Sequence, residues 1–263
     1  MPMRWTKSEE KKYSRELKDL YIRQNKSIKE ISFELGIAEQ TVFKRLIRLK
    51  IKPTPHLKKH YLKRRTDVIL PKRYSERIAE FFGIMLGDGH VSHFQILVHL
   101  GNKEAEYAEY VRVLISKIFR APAKISIRDT GYRDVYLGST FATSWLFKEG
   151  FVKNKVRFQV GVPRWIFIKR SFIEGFLRGF FDTDGSVYKI KYGIQISFTN
   201  YSLPLLKGLQ RALSILGYTP SEVSSHKIYL TKTEDVKRFF KEVNPRNPKH
   251  QRRFKQFIHA PVG

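Results

Sequence analysis

The sequence predicts an α+β fold in which one helix–strand unit occurs twice, behind a small all-α N-terminal domain. Three observations carry this expectation. From Tyr74 onward, the order apolar helix, strand, amphipathic helix, strands, short helix begins again after Pro163. Residues 1–49 carry helical periodicity alone. Between the two regions lies a basic stretch broken by prolines, the composition of a linker. The expected domains are 1–52 (helical), 53–73 (linker), 74–163 (first half) and 164–263 (second half).

In the N-terminal domain, Thr6 followed by Glu9 fits a capping box that opens a charged helix running to about Asn25. Ile28, Ile31 and Leu35 recur at helical spacing up to Gly36, which can end a helix in the left-handed region. Val42, Leu46 and Leu49 mark one face of the next helix. Small Ser32, the turn at Gly36 and the basic second helix together read as a helix-turn-helix. Thr41, Lys44, Arg45 and Arg48 are its expected DNA-facing residues. A plain helical hairpin packed on its neighbour is the alternative. Residues 50–73 follow with nine Lys/Arg, among them Lys58, Lys59, Arg64 and Arg65, against the single acid Asp67. Such a segment can track a phosphate backbone or serve as a solvated tether.

In the repeated unit, the first apolar helix ends Phe81-Phe82-Gly83-Ile84-Met85-Leu86-Gly87-Asp88-Gly89 and the second ends Leu177-Arg178-Gly179-Phe180-Phe181-Asp182-Thr183-Asp184-Gly185. Gly83 and Gly87, like Gly179 and Thr183, stand at i, i+4 and share a helix face. Small residues there let two backbones approach, so the helices are expected to cross at a pseudo-twofold axis. Each then ends in Asp-Gly, with the glycine a candidate left-handed cap. A carboxylate there faces the negative end of the helix dipole. Two such carboxylates, Asp88 and Asp184, brought together by close helices would repel unless a cation sits between them. Mg²⁺, or Mn²⁺, is the natural choice beside phosphate. An ordinary C-cap before a tight turn is the alternative for either copy alone.

Composition narrows the class. The 263 residues carry 51 Lys+Arg against 24 Asp+Glu, a formal net charge of +27. That charge calls for a polyanion, and nucleic acid is the leading partner. The absence of cysteine excludes disulfides, zinc ribbons and thiol nucleophiles. No apolar run is long enough for a membrane span and the opening MPMRWTKSEEKK has no apolar stretch, so an intracellular, non-secreted protein is expected. No Walker A sequence occurs. His90, His93 and His99 cluster near Asp88, without the further acid or cysteine a histidine metal site would want.

With both motif copies in view, the sequence resembles a single-chain LAGLIDADG homing endonuclease over about residues 74–257. The resemblance implies a tandem αββαββα pseudo-twofold saddle and a monomeric, Mg²⁺-dependent endodeoxyribonuclease acting on a long asymmetric double-stranded DNA target. It implies Asp88 and Asp184 as metal ligands, assisted by the carbonyls of Gly87 and Thr183. It also implies a lysine reaching the scissile phosphate, for which Lys155 and Lys249 are the candidates, with plain phosphate contacts as the alternative. His99 and Ser197 are candidates to hold the attacking water, or ordinary strand side chains. Leu86 stands where the second copy has Asp182, which marks that position as structural, and Arg178 departs from the usual small residue and is expected at the outer rim.

On a saddle, alternate strand residues reach base edges. The expected readers are Gln95, Ser126, Arg128, Arg133 and Tyr136 in the first half, and Tyr188, Gln195, Tyr229 and Thr231 in the second. Two other functions fit the same residues: a transcription regulator that reuses the fold with the helix-turn-helix as its working module, and an RNA maturase assisting intron splicing. In each, the charge acts on phosphates. Residues 237–255 alone hold eight Lys/Arg against Glu242. Nucleic-acid affinity measured across a salt titration is therefore expected to fall steeply. A shallow slope would count against a phosphate clamp.

Overall fold

The computed structural model describes residues 7–24, 26–51, 67–191 and 193–258. The chain divides into two compact units, residues 1–64 and 65–263. Within the first, helix α1 (Lys7–Lys18) continues through wider π-type turns at Asp19–Arg23. Helix α2 (Ile28–Leu35) opens with a capping box in which Ser27 and Glu30 satisfy each other's backbone N–H groups. It closes at Gly36, whose φ of 61° is the left-handed value expected of it. Ser32 does more than allow close approach: its hydroxyl donates to the Ile37 carbonyl (2.6 Å) and locks the turn. Helix α3 (Glu39–Arg48) then packs Val42 and Leu46 with Ile31, Leu17, Leu20 and Tyr21 into a small core. The expected capping residue Thr6 lies outside the described residues, as does the linker over 53–66.

The second unit begins with helix α4 (Glu76–Leu86), capped by the Ser75 hydroxyl. Strands β1 (Gly89–Val91) and β2 (Gln95–Leu100), helix α5 (Ala105–Phe119), strands β3 (Lys124–Ile127) and β4 (Arg133–Gly138) and helix α6 (Thr140–Lys148) follow. This is the αββαββα order, and its sheet is antiparallel with order β1-β2-β4-β3. A 3₁₀ turn at Arg164–Ile168 leads into helix α7 (Arg170–Asp184). Strands β5 (Gly185–Ile190) and β6 (Gly193–Thr199), helix α8 (Leu203–Ile215), strand β7 (Lys227–Leu230) and helices α9 (Thr233–Glu242) and α10 (Pro248–Ile258) complete the chain.

The second half departs from the expected pattern twice. Its sheet, β5-β6-β7, has three strands among the described residues, not four. The segment beside β7 contains Pro220, and the Ser221 hydroxyl accepts from Tyr229 N–H (3.0 Å) where a strand carbonyl would. Ser221 N–H donates to the Tyr229 carbonyl (2.9 Å), and Ser225 and His226 turn the chain at positive φ. A side chain thus closes this edge in place of a regular ladder. The second departure is α10, a further helix that includes the end of the basic stretch 237–255. Its apolar side stacks Phe254 on Phe240 (ring centroids 3.9 Å apart) and buries His250.

Helices α4 and α7 run through the middle of this unit's single core, and their backbones touch. A Cβ added at Gly83 would lie 2.2 Å from the Phe176 carbonyl oxygen, and one at Gly179 would lie 2.0 Å from that of Glu80. Gly87 faces the Thr183 hydroxyl in the same way (2.0 Å), and Gly175, not singled out in the sequence, faces the Glu76 carbonyl (2.6 Å). The expected small-residue seam is therefore longer by one glycine. Gly89 and Gly185 correct the reading as left-handed caps. Neither has positive φ. They are glycines because a Cβ would strike Met85 Cα at 2.4 Å and the Phe181 carbonyl at 2.3 Å as the chain doubles back from each helix into its strand.

Arg178 is also corrected. It is only 8% exposed, and it crosses the helix seam rather than facing outward. Its guanidinium donates to Glu80 (3.0 Å), Glu76 (2.8 Å) and the Val243 carbonyl (2.8 Å), and Tyr110 donates to the other Glu80 oxygen. Every part of the buried charge pair is thus hydrogen-bonded, the condition under which such a pair is tolerated.

Because the neighbours at Gly83 and Gly179 are backbone atoms, they cannot rotate away. Gly83→Ala and Gly179→Ala are each expected to destabilise the unit by about 2 kcal/mol or more, read as a lower denaturation midpoint, while Gly138→Ala, with open space around its Cβ position, changes little.

Candidate metal and nucleic-acid site

Asp88 and Asp184 follow the ends of α4 and α7, and the helix seam brings them together. The Cβ position at Gly87 is 3.5 Å from the Asp184 carboxyl carbon. Burial raises the Asp88 carboxyl above its ordinary range, against the opposing charges of Lys249 and Lys155. Burial, with the negative charge of Asp88 next in weight, pushes Asp184 up to about 6. The repulsion expected from the sequence is thus present. Asn200, at the end of β6, donates its amide to Asp184 (3.0 Å).

The two lysines are held in unlike ways. The Lys155 ammonium donates to the carbonyls of Met85 (3.1 Å), Gly89 (2.8 Å) and Gly87, at the negative end of the α4 dipole. Burial lowers its pKa, opposed by the charges of Asp184 and Asp88. The carbonyl of Gly87, an expected metal ligand, therefore already accepts from Lys155. Lys249, in the first turn of α10, pairs with Glu104 (2.8 Å) at the start of α5. Glu104 also accepts from Asn247 (2.7 Å) and from the Gly101 N–H (2.7 Å). Its pKa lies below the ordinary value: burial would raise it, but these bonds and the Lys249 charge outweigh that.

Asp182 is fully buried, and its two oxygens accept from the backbone N–H groups of Arg246 and Asn247 (2.9 Å each). This agrees with the structural role inferred from Leu86 at the matching position. Thr183 is 8% exposed, and its hydroxyl turns back onto the Gly179 and Phe180 carbonyls.

Each sheet turns its apolar residues into the core and leaves a polar face. On the first, register places Gln95 opposite Gly138, Leu97 opposite Tyr136 and His99 opposite Asp134, with Ser126 beside Asp134. His99 Nδ1 lies 2.7 Å from Asp134, and Arg128 pairs with Asp134 through two nitrogens (2.8 and 2.9 Å). The backbone N–H of His99 donates to the Asp88 carbonyl (3.2 Å), which puts this cluster beside the acid pair. Arg133 has the opposite parity, paired with Leu100 and Ile127, and it donates to the carbonyls of Asn102 and Gly131. It is a turn-holding residue and not a member of the polar face.

On the second sheet, Tyr188 stands opposite Gln195, and Ser186, Ser197 and Tyr229 form a row. Ser197 is 2% exposed and hydrogen-bonded with Tyr188, so it is covered and not open to a water in the free protein. Register also separates it from His99. Gly89 pairs with Val98 and Gly185 with Phe198, which makes Thr199 the counterpart of His99. Thr231 is exposed just beyond β7.

In the first unit Lys44 and Arg48 are exposed and Thr41 is half-buried. Arg45 is drawn inward: burial lowers its pKa, with the Tyr13 charge opposing. Lys58, Lys59, Arg64 and Arg65 lie outside the described residues. Glu104, Asn247 and Asp134 were missed in the sequence. Their signals were faint: a glutamate two residues past Asn102, an asparagine two before Lys249, and an acid next to Arg133 at the start of a strand.

Among the described residues no group of three or more His, Cys, Asp or Glu gathers as a metal cluster. The donor set is the two carboxylates, oxygen only and mutually repelling. That fits a hard divalent cation, since Mg²⁺ characteristically takes one or two carboxylates and completes its shell with water and phosphate oxygens. Among the same residues no helix is long and apolar enough to cross a membrane.

Part of the site, Asp184 with most of helix α7, falls within a stretch that matches a known family model. Residues 171–244 match the model of the LAGLIDADG-like domain. Over 117 residues, 44% of its length, the chain is 29% identical to the replication factor C small subunit of Methanocaldococcus jannaschii, and it spans only 6% of that curated relative. Among solved structures it is similar to the N-terminal LAGLIDADG domain of WhiA at 15% identity, covering 68% of this chain and 89% of that one with a TM-score of 0.47. It is similar to the homing endonuclease I-WcaI bound to its DNA recognition sequence at 16% identity, covering 76% and 92% with a TM-score of 0.49. Similarity to I-DmoI in complex with DNA and Mn is 14% identity, covering 65% and 98% with a TM-score of 0.45.

Beneath the site, His250 packs on Phe181 (4.7 Å) with neither ring nitrogen hydrogen-bonded. Burial, with the Lys249 charge next, lowers its pKa to about 3. Neutral His250 therefore favours the folded state at neutral pH, and that contribution is lost as pH falls from about 6.5 towards 3. His250→Leu, compared with the parent by denaturation at pH 7 and pH 4, is expected to lose less stability on acidification, by an amount on the order of a few kcal/mol.

Proposed function

We propose that this protein is a site-specific DNA endonuclease that cuts both strands of a long asymmetric duplex with the help of a divalent cation. One observation carries the reading: two half-buried carboxylates, from the two copies of one motif, meet at the ends of touching helices in a chain with a formal charge of +27. Structural acids are rarely placed so that they repel, and among the described residues Lys155 and Lys249 act on the pair through their charge, with no ion pair to either acid.

In this reading Asp88 and Asp184 hold Mg²⁺ or Mn²⁺, which when bound supplies Lewis-acid activation of water and neutralises charge developing on the phosphodiester. The chain's own residues do the rest. Lys155 and Lys249 add positive charge at the scissile phosphates. The polar faces of the sheets, through Gln95, Ser126, Arg128 and Tyr136 on one and Tyr188, Gln195 and Tyr229 on the other, read base edges in the major groove. His99, its ring oriented by Asp134, stands on the first face as a water-holding group. The helix-turn-helix of residues 1–52, through Lys44 and Arg48, adds contacts to flanking DNA, and the protein acts as a monomer. The two-helix module, with its left-handed Gly36 turn and exposed basic second helix, also favours a second reading, a DNA-binding regulator.

The test is nicking of supercoiled plasmid DNA and of a random duplex library with Mg²⁺ or Mn²⁺. Asp88→Asn and Asp184→Asn are each expected to lower the cleavage rate at least about 100-fold while DNA binding is kept. Sequence-selective binding by the parent with no metal-dependent cleavage would move the assignment to the regulator.

A further inference from the structure

The sequence offered two lysines for the scissile phosphates but nothing to hold either in place. Lys155 is carried by carbonyls of its own half. Lys249 is different. It comes from the second half, and its partner, Glu104, comes from the first. The link between them is built in layers. Asp182, fully buried in α7, takes both backbone N–H groups of the turn at Arg246 and Asn247. Asn247, 1% exposed, donates its side-chain amide at once to the Asp182 carbonyl (3.0 Å) and to Glu104 Oε1 (2.7 Å). Its own side-chain oxygen accepts from the Lys249 N–H (3.1 Å). Glu104 is in turn held by the Gly101 N–H, at the end of the strand that carries His99. Each side chain in this relay is hydrogen-bonded to the next, and Asp182 and Asn247 at its middle are buried.

An exposed Lys–Glu pair would be worth little and would be free to rearrange. Here the lysine stem leaves a turn pinned by a buried carboxylate, and the glutamate that receives it is pinned from two sides. We infer that Glu104, together with Asn247 and Asp182, is a positioning relay that delivers the Lys249 ammonium across the pseudo-twofold seam to the Asp88 side of the site. This rests on the endonuclease reading for its consequence in catalysis, but the wiring itself does not. Glu104 holds the lysine's charge at the site before DNA arrives, and it does so in one half only. Asp184 faces the neutral amide of Asn200 instead. The earlier acid of the second motif copy acquires a reason as well: it clamps the turn from which Lys249 departs, whereas Leu86 in the first copy has no such turn to clamp.

The experiment is a double-mutant cycle on full-length protein, read by nicking of supercoiled plasmid with Mn²⁺, with rate at saturation and half-saturating protein concentration measured separately. Glu104→Gln keeps the size and one acceptor oxygen, which can still receive the Asn247 amide, but removes the charge that holds Lys249 and the acceptor of the Gly101 N–H. It is expected to lower the saturated rate about 10-fold with half-saturation unchanged, and to have no further effect in a Lys249→Met background. Losses that multiply in the double variant, or a change in half-saturation alone, would overturn the relay. A second measurement is independent of cleavage: modification of Lys249 by a lysine-acetylating reagent, followed by mass spectrometry. Its rate is expected to rise about 5-fold in Glu104→Gln, with Lys155 labelling unchanged as the internal control for fold. Equal Lys249 labelling in parent and variant would overturn the relay. If the parent fails to nick DNA, the endonuclease reading falls, and the labelling still decides the wiring.

Discussion

The rest of the second unit depends on the contact between two helix backbones. Where Gly83 meets Phe176 and Gly179 meets Glu80, no space remains for a methyl group. That approach joins the two halves in one core, sets the two polar sheet faces in relation to one seam, and forces Asp88 and Asp184 into each other's field. The same closeness explains Gly87 and Gly175, which face Thr183 and the Glu76 carbonyl across the seam, while Gly89 and Gly185 answer to the chain doubling back on its own helix. A chain that places carboxylates at this point gives up stability in the free protein. Such a cost is familiar where a site awaits a cation and a polyanion.

The seam also carries charge. Arg178 spans it with two glutamates, and Lys249 with Glu104 spans the neighbouring gap. Both links run from the second half to the first. Against the formal charge of +27, Asp88 and Asp184 stand as a small negative centre in the second unit.

Much of this was legible in the sequence because it rests on local rules. The two short N-terminal helices and the left-handed Gly36 between them follow from residue types at fixed offsets. The boundaries of α6 and α7 follow from apolar periodicity, and the glycine seam from i, i+4 spacing repeated in two copies. The register of the first sheet was readable too, since Ile96, Val98 and Leu100 alternate with Gln95, Leu97 and His99. What failed had a common character. Arg178 looked like a rim residue because its two glutamates belong to another helix. Arg133 looked like a base reader, but it shares the inward parity of Val135 and Leu137 in β4 and spends its guanidinium on the Asn102 and Gly131 carbonyls. Ser197 looked open because Tyr188, on a different strand, covers it. The fourth strand of the second sheet was lost to a serine hydroxyl that stands in for a backbone carbonyl.

The sequence by itself determined most element types, the doubled motif, the pair of acids and the chain's own surplus of positive charge. These depend on composition and on spacings of a few residues, which a linear chain displays directly. Only the tertiary structure decided which carboxylates carry charge toward a ligand and which are consumed as structure. Asp182 and Asp184 are two residues apart in one helix. One ties down a turn some sixty residues away, and the other faces Asp88 across the seam. Glu104 and Lys249 meet over a separation of 145 residues. Hydrogen bonds of that reach are set by how the two halves pack, and no local pattern in the chain records them.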